Sequence, residues 1–275
     1  MLTEDVMRQM WPHADTDVPG LIAGIMGAAP TVFAKYGLTS DLLVAHAAAQ
    51  FSEECGAGTE VEENLNYSAQ GLMNTWPSRF DAAKAAAFAR NPQRIANEVY
   101  NGRMGNQIGS NDGFTYRGRG GSQVTGRDAY DKLGQTMGLG LLDNPDLVNN
   151  PANFLECAVA DFVMCGCLPF AASDDVNGVT LHLNGGFIGL QARKQWLAKW
   201  KAALNVGGAA THGTLWVQQS LNKLGAEPSL SEDGEYGPMT QAAVLAFQQT
   251  HGLAADGKIG PDTIAAIEQA LAALG

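Results

Sequence analysis

Apolar positions recur three and four residues apart along this chain, the spacing that marks one face of an α-helix. The clearest stretch, SDLLVAHAAAQFSEECG, begins at the capping residue Ser40 and ends at Gly56. Within it Leu43, Ala47, Gln50 and Glu54 fall at i, i+4, i+7 and i+11, so Glu54 continues a face that is otherwise largely apolar. Glu53 lies about 100° around the helix, in line with Leu42, His46 and Ala49. The apolar stretch Leu21 to Ala29, bracketed by Pro19 and Pro30, reads as a buried helix. It is far short of the about 20 apolar residues that a membrane span requires. Residues 1–205 are rich in Ala and read mostly as helices broken by Gly and Asn, with Leu197, Trp200 and Leu204 carrying the helical spacing to the end.

The run NVGGAATHGT, from Asn205 to Thr214, is small, Gly-rich and uncharged, and it places a domain boundary near residue 208. Residues 1–207 then form one domain and 208–275 a second, smaller one. The smaller domain holds an internal repeat: DGEYGPMT at 233–240 and DGKIGPDT at 256–263, offset by 23 residues. Asp-Gly supplies a tight turn, the second Gly a permissive backbone, Pro a fixed φ, and Thr a helix cap. Helical spacing follows each copy, as Val244 and Phe247, then as Ile264, Ile267 and Leu271. A preceding helix shows Val217, Leu221 and Leu224 and stops at Gly225. The expected fold class is mainly α, a helical larger domain followed by a small three-helix unit.

Composition narrows the class. The chain of 275 residues is 45% hydrophobic and 16% charged, enough to bury a substantial core. Its formal net charge is −11 with no block of Lys or Arg, so nucleic acid is not the expected partner. Four Cys are too sparse for a disulfide scaffold. Cys157 and Cys165 lie in the apolar stretch ECAVADFVMCGCLPF, where free Cys packs as a small hydrophobe. A zinc site using Cys165, Cys167 and His182 lacks the usual ligand spacing, and neither a metal nor another cofactor is required.

The chemistry concentrates in two acidic segments. Glu54 sits in the last turn of its helix, where the macrodipole disfavours an anion and partial burial adds to the effect. Those conditions favour a carboxylic acid able to donate a proton. A second cluster, Glu60, Glu62 and Glu63, follows in a Gly-bounded loop. Two carboxyl groups facing one cleft are the equipment of glycosidic hydrolysis, one as acid and one as base. The Gly-rich stretch DGFTYRGRGGSQVTGRDAY brings Tyr and Arg to a permissive backbone, and it lacks the Gly-Lys-Ser/Thr ending of a phosphate loop.

Four motifs, QFSEECG, EENLNYSAQGL, YRGRGGSQVTG and HLNGGFIGL, together resemble glycoside hydrolase family 19 as found in phage endolysins and related to plant chitinases. The resemblance spans about residues 20–205 and implies a lysozyme-like helical fold. LWVQQSLNKLG, the two repeat copies and AVLAFQQTHGL are similar to the peptidoglycan-binding module of wall hydrolases, over nearly all of 212–273. Carried over by motif, Glu54 matches the general acid. Glu63, nine residues later, matches the carboxylate that activates water, with Glu62 as the fallback. Thr125 matches the hydroxyl that orients that water. Tyr116, Arg119 and Gln123 would line the substrate wall, and Asn184 of Asn184-Gly185-Gly186 resembles a sugar-contacting Asn. The chain departs from the family pattern at Glu53 (usually His), Cys55 (usually Ser), Ser122 (usually apolar) and Ala129 (commonly Asn).

The resemblance implies an inverting N-acetylmuramidase that hydrolyses β-1,4 bonds of bacterial peptidoglycan, with no membrane partner, acting as a monomer. A chitinase or N-acetylglucosaminidase of the same fold is the alternative enzyme. A non-catalytic wall-anchoring phage protein and a toxin delivered to competing bacteria are the alternatives in biology. The start MLTEDVMRQMWPHADTD has no charged n-region followed by an apolar h-region. The expected location is therefore the host bacterial cytoplasm, with holin-type release or external delivery to the wall.

Overall fold

A computed structural model describes residues 2–206 and 214–274. The chain separates into two compact units, Leu2–Leu197 and Ala198–Gly275. The boundary expected near residue 208 lies outside the described residues.

The first unit is built from α1 (Glu4–Met10), α2 (Ala14–Asp17), α3 (Leu21–Tyr36), α4 (Asp41–Glu54), α5 (Ala69–Thr75), α6 (Ala82–Phe88), α7 (Pro92–Tyr100), α8 (Asp112–Thr115), α9 (Arg127–Met137), α10 (Pro151–Met164), α11 (Leu168–Ala172) and α12 (Val176–Asn184). Helix α13 (Leu190–Ala203) crosses the division between the units. Among the described residues the extended pairing is limited to two antiparallel bridges, Glu62 with Arg119 and Arg119 with Val124. No single described helix is long and apolar enough to cross a membrane.

The apolar stretch at Leu21 does form a helix, but Pro30 does not end it: α3 runs on to Tyr36 and stops at Gly37, whose φ is +76°. Leu21, Ile22, Ile25, Ala29 and Val32 are buried on one face, while Pro30 is exposed on the other. Helix α3 lies against the start of α10 so closely that a Cβ at Gly24 would sit 2.3 Å from the Pro151 carbonyl oxygen. Helix α4 starts where Ser40 accepts a hydrogen bond from the Leu43 amide, and it ends with Glu54.

Two apolar clusters support the loops after α4. Tyr116, Val124, Tyr130, Leu133, Leu141, Val148, Cys157 and Ala160 pack α9 and α10 beneath the segment 116–125. Leu65, Leu72, Phe80, Ala85, Ile95, Ala96 and Val99 form a smaller core that fixes α7 beside the segment 62–67.

The second unit contains α14 (Thr214–Lys223), α15 (Pro238–Thr250) and α16 (Pro261–Ala273), the three helices expected. Val217, Leu221, Leu230, Val244, Phe247 and Ile267 form its core. The repeat threonines have a different part from the one expected. Gly237 and Gly260 occupy the cap positions, and Thr240 and Thr263 are buried three residues on. There each hydroxyl accepts a hydrogen bond from a buried glutamine, Gln218 Nε2 at 3.2 Å and Gln248 Nε2 at 2.9 Å.

Candidate active site

Glu54 closes α4, and its Oε1 lies 2.7 Å from Nη2 of Arg193, which projects from α13. The guanidinium is buried, and each of its three nitrogens donates a hydrogen bond. Nη1 donates to Gln50 Oε1 at 2.6 Å and Nε to the Ile188 carbonyl at 3.3 Å. Gln50 in turn donates to Thr180 on α12 at 3.3 Å. One arginine thus ties α4, α13 and the turn after α12 into a single support for the carboxyl group. The sequence suggested an apolar setting for Glu54; the structure supplies a cation instead.

Arg193 was not foreseen, although its signal is visible. It occupies the apolar stripe Leu190, Arg193, Leu197, Trp200 and Leu204, where the last three are buried and a lone arginine demands a partner. Glu53 lies beside Gly189, where a Cβ would be 2.8 Å from its Oε1 and 3.5 Å from Arg193 Nε, so both acids stand near this arginine and the 2.7 Å ion pair is with Glu54.

Glu63 is held from a different direction. The Tyr100 hydroxyl donates to Oε1 at 2.6 Å and the Gly118 amide to Oε2 at 3.2 Å. The Glu63 amide returns a bond to the Gly118 carbonyl at 2.9 Å. Burial and then the charge of Glu63 raise the pKa of Tyr100, and the same two causes raise that of Tyr67. Both phenols therefore stay protonated beside this carboxylate.

Gly118 is the centre of this half of the site. A Cβ there would stand 2.7 Å from Gln123 Oε1, 3.3 Å from Glu63 Cβ and 3.3 Å from Thr125 Oγ1, so three of the candidate residues converge on a position without a side chain. The Thr125 hydroxyl donates to the Gln123 carbonyl at 2.9 Å, which leaves its lone pairs as acceptors. Gln123 has φ +53° and donates through Nε2 to the carbonyls of Glu60 and Gly120, both at 3.1 Å. It clamps the acidic segment onto the Gly-rich one.

Glu62 points the other way, as expected for neighbours on an extended strand. It pairs with Arg117, whose Nε lies 3.0 Å from Oε1, and its Oε2 is 3.8 Å from Arg119 Nε. Its charge is already countered, so Glu63 is the better placed of the two acids.

Two wall residues are corrected. Tyr116 is 4% exposed and Arg119 3%, so neither lines a substrate wall. The Tyr116 hydroxyl donates to the Leu142 carbonyl and accepts from Arg127, each at 3.1 Å. Arg119 donates through Nη1 to the Thr115 carbonyl at 2.8 Å and to the Tyr130 hydroxyl at 3.1 Å. Its Nε is 2.9 Å from Asp146 Oδ1. Both residues brace the floor below the site. Asn184, by contrast, is exposed at the end of α12, and its Nδ2 donates to the Ile188 carbonyl at 3.3 Å, the oxygen that Arg193 also holds. Phe187 and Ile188 beside it are exposed apolar residues.

The four cysteines are free thiols, three of them buried, and burial pushes Cys55, Cys157 and Cys167 up to about 12 and Cys165 to about 11. His182 Nδ1 faces the Cys165 carbonyl at 3.1 Å. Among the described residues no group of three His, Cys, Asp or Glu could hold a metal ion.

A helical unit that presents one carboxyl group from a helix end and another from the loop after it, each with its own partners, has the equipment of a glycoside hydrolase. Comparison with known proteins gives the family. The chain belongs to glycosyl hydrolase family 19 and carries a peptidoglycan-binding domain at its C-terminal end. The family described as "Chitinase class I" matches residues 44–176, and "Putative peptidoglycan binding domain" matches 213–267. A glycosyl hydrolase family 19 domain-containing protein of Haemophilus influenzae (strain Rd) is 32% identical over 195 residues, 70% of this chain and 92% of that one. A zinc D-Ala-D-Ala carboxypeptidase of Streptomyces albus G is 51% identical over 45 residues, 16% of this chain and 18% of the carboxypeptidase. Among solved structures, chitinase C from Streptomyces griseus HUT6037 is 16% identical, with a TM-score of 0.49 over 74% of this chain and 76% of that chain. A bacterial family 19 chitinase is 19% identical, with the same TM-score, over 74% of this chain and 95% of that chain.

Proposed function

We propose that this family 19 glycoside hydrolase is a phage endolysin that cuts the β-1,4 bonds of peptidoglycan as an inverting N-acetylmuramidase. The observation that carries the reading is the joining, in one chain, of a family 19 catalytic region to a peptidoglycan-binding domain. The exposed Phe187 and Ile188 beside Asn184 suit it as well, since they offer an apolar edge to the lactyl methyl of muramic acid. In this reading the enzyme reaches the wall from the host cytoplasm by holin-type release.

The roles follow from the partners. Glu54 donates a proton to the leaving glycosidic oxygen, using Oε2 because Arg193 holds Oε1. The guanidinium then faces the carboxylate left behind. Glu63 takes a proton from the attacking water on the opposite face of the sugar, as single displacement requires. Thr125 accepts the other hydrogen of that water, since its own proton is committed to the Gln123 carbonyl. Inversion calls for about 6.5–9.5 Å between the two carboxyl groups, room for one water.

Borohydride reduction of digested sacculi followed by mass spectrometry tests the bond. Reduced N-acetylmuramic acid termini are expected; reduced N-acetylglucosamine termini would make the enzyme a glucosaminidase. Release of the β-anomer in the first turnover would refute inversion. The second reading, a chitinase, is favoured by the match of residues 44–176 to class I chitinases. Faster cleavage of colloidal chitin than of sacculi would establish it.

A further inference from the structure

The two copies of the C-terminal repeat are built alike and end differently. In the first, Gln218 donates to Asp233 Oδ1 at 2.8 Å, to the Glu235 carbonyl at 3.0 Å and to Thr240, and it accepts from the Gly234 amide at 2.9 Å. In the second, Gln248 donates to Asp256 Oδ1 at 3.0 Å, to the Lys258 carbonyl at 2.9 Å and to Thr263, and it accepts from the Gly257 amide at 2.9 Å. The helix residue three positions before each glutamine lies against the glycine turn. A Cβ at Gly234 would be 3.7 Å from Leu215, and one at Gly257 would be 3.2 Å from Leu245. The fold of the unit therefore needs the glutamine, the Asp-Gly turn and the threonine, and both copies have them.

What the copies expose is not shared. Tyr236 is 41% exposed, Met239 54% and Leu215 43%. Their counterparts are Ile259 and Leu245, both half-buried, and Asp262, which is polar. Folding gives no reason for three exposed apolar side chains at one copy and none at the other. The tyrosine ring is also fixed, because its hydroxyl donates to the Gly257 carbonyl of the second turn. A ring held at its far end presents its face without further loss of conformational freedom on binding.

We infer that Tyr236, together with the exposed Met239 and Leu215 of the same repeat copy, is the sugar-binding platform of this unit, stacking on the neutral glycan strand of peptidoglycan. The inference rests on reading residues 213–267 as a wall-binding domain and adds where, and to which part of the wall, it binds. Charge favours the glycan over the stem peptide: Glu232, Asp233 and Glu235 are the immediate chain neighbours of Tyr236, and their negative charge disfavours the peptide's carboxylates. An aromatic face and flanking apolar groups complement the C–H face of an N-acetylhexosamine, the way aromatic side chains pair an apolar body with a polar tip.

The test uses the full chain made inactive by Glu54→Gln. With its methionine methyls labelled, the Met239 signal is expected to shift on titration with N-acetylglucosamine hexamer and to stay still with a free stem pentapeptide. In the same background, Tyr236→Ile with Met239→Asp installs the residues that the second copy already carries in the same fold. Sedimentation with sacculi is expected to weaken about tenfold while the unit keeps a cooperative melt, its Tm lowered only by the lost hydrogen bond to the Gly257 carbonyl. A still Met239 signal with the sugar, a shift with the peptide instead, or undiminished sedimentation of the double variant would overturn the platform. Failure of the Glu54→Gln parent itself to sediment would remove the wall-binding reading, and the platform with it.

Discussion

Glu53 and Glu54 are adjacent acids near one arginine, and Glu54 is the one paired with it. Glu54→Gln is expected to reduce wall clearing at least about 100-fold, the range for losing a general acid, at a nearly unchanged Tm. Glu53→Gln should keep most of the activity, and the reverse result would shift the assignment by one residue. Arg193 is a positioning residue whose three bonds go to Glu54, Gln50 and Ile188. A lysine retains the charge but cannot reach three acceptors in fixed directions. Arg193→Lys should therefore lower kcat about tenfold or more while KM stays within about twofold; a change confined to KM would argue for a substrate contact instead. At this scale the motifs single out Glu54, Glu63 and Thr125 as candidates, and the structure shows what each side chain touches. Tyr116 and Arg119 were misplaced because composition around Gly118 cannot tell which donors are satisfied inside the protein. Arg193 comes from 139 residues beyond Glu54, yet its intrusion into an apolar stripe was a usable sign.

Among the elements, the Gly-rich segment and the repeat turns carry the sharpest consequences. Gly118→Ala would put a methyl 2.7 Å from Gln123 Oε1. The clamp on the acidic segment must then move, and with it Thr125 and Glu63. Activity is expected to fall about tenfold or more with a smaller loss in Tm, read from turbidity clearing and a thermal melt of the same preparation. In the C-terminal unit both repeat aspartates are held below the ordinary carboxylate value. For Asp233 the leading cause is the hydrogen bond from Gln218; for Asp256 it is the Lys258 amide, followed by Gln248. A depressed folded pKa contributes stability that is complete above the unfolded value of about 3.9 and disappears as pH falls through the lower folded value. The Tm of this unit should drop between about pH 4 and more acidic pH, and Asp233→Asn with Asp256→Asn should flatten that dependence. The repeat was plain in the sequence because turn residues are chemically distinctive. The two glutamines that clip it were not, since they stand 15 and 8 residues before their aspartates and share no common spacing. Pro30 misled in the opposite direction: it lies on the exposed face of α3, where the helix continues past it.

For the whole molecule, the division between Leu197 and Ala198 falls inside α13, four residues past Arg193. That position makes the choice of truncation a test of how the acid is supported. A chain ending at residue 206 keeps α13 entire, whereas one ending at 197 leaves the last turn before the cut without its following amides. Helix ends fray because their final carbonyls lack partners, and fraying would begin within one turn of Arg193. Residues 1–206 are expected to cleave soluble wall fragments at close to the full chain's rate; residues 1–197 should lose about tenfold or more in kcat. On intact sacculi the two forms should both suffer, for a different reason. A binding domain on the same chain raises the effective concentration of the catalyst at an insoluble substrate without adding contacts in the cleft. Residues 1–206 should thus clear sacculi more slowly and sediment with them poorly, even though their turnover of soluble fragments is intact. Equal sedimentation of the full and truncated chains would remove targeting from the account of this enzyme. Equal turnover by 1–197 and 1–206 would show that Arg193 holds Glu54 without the second half of α13.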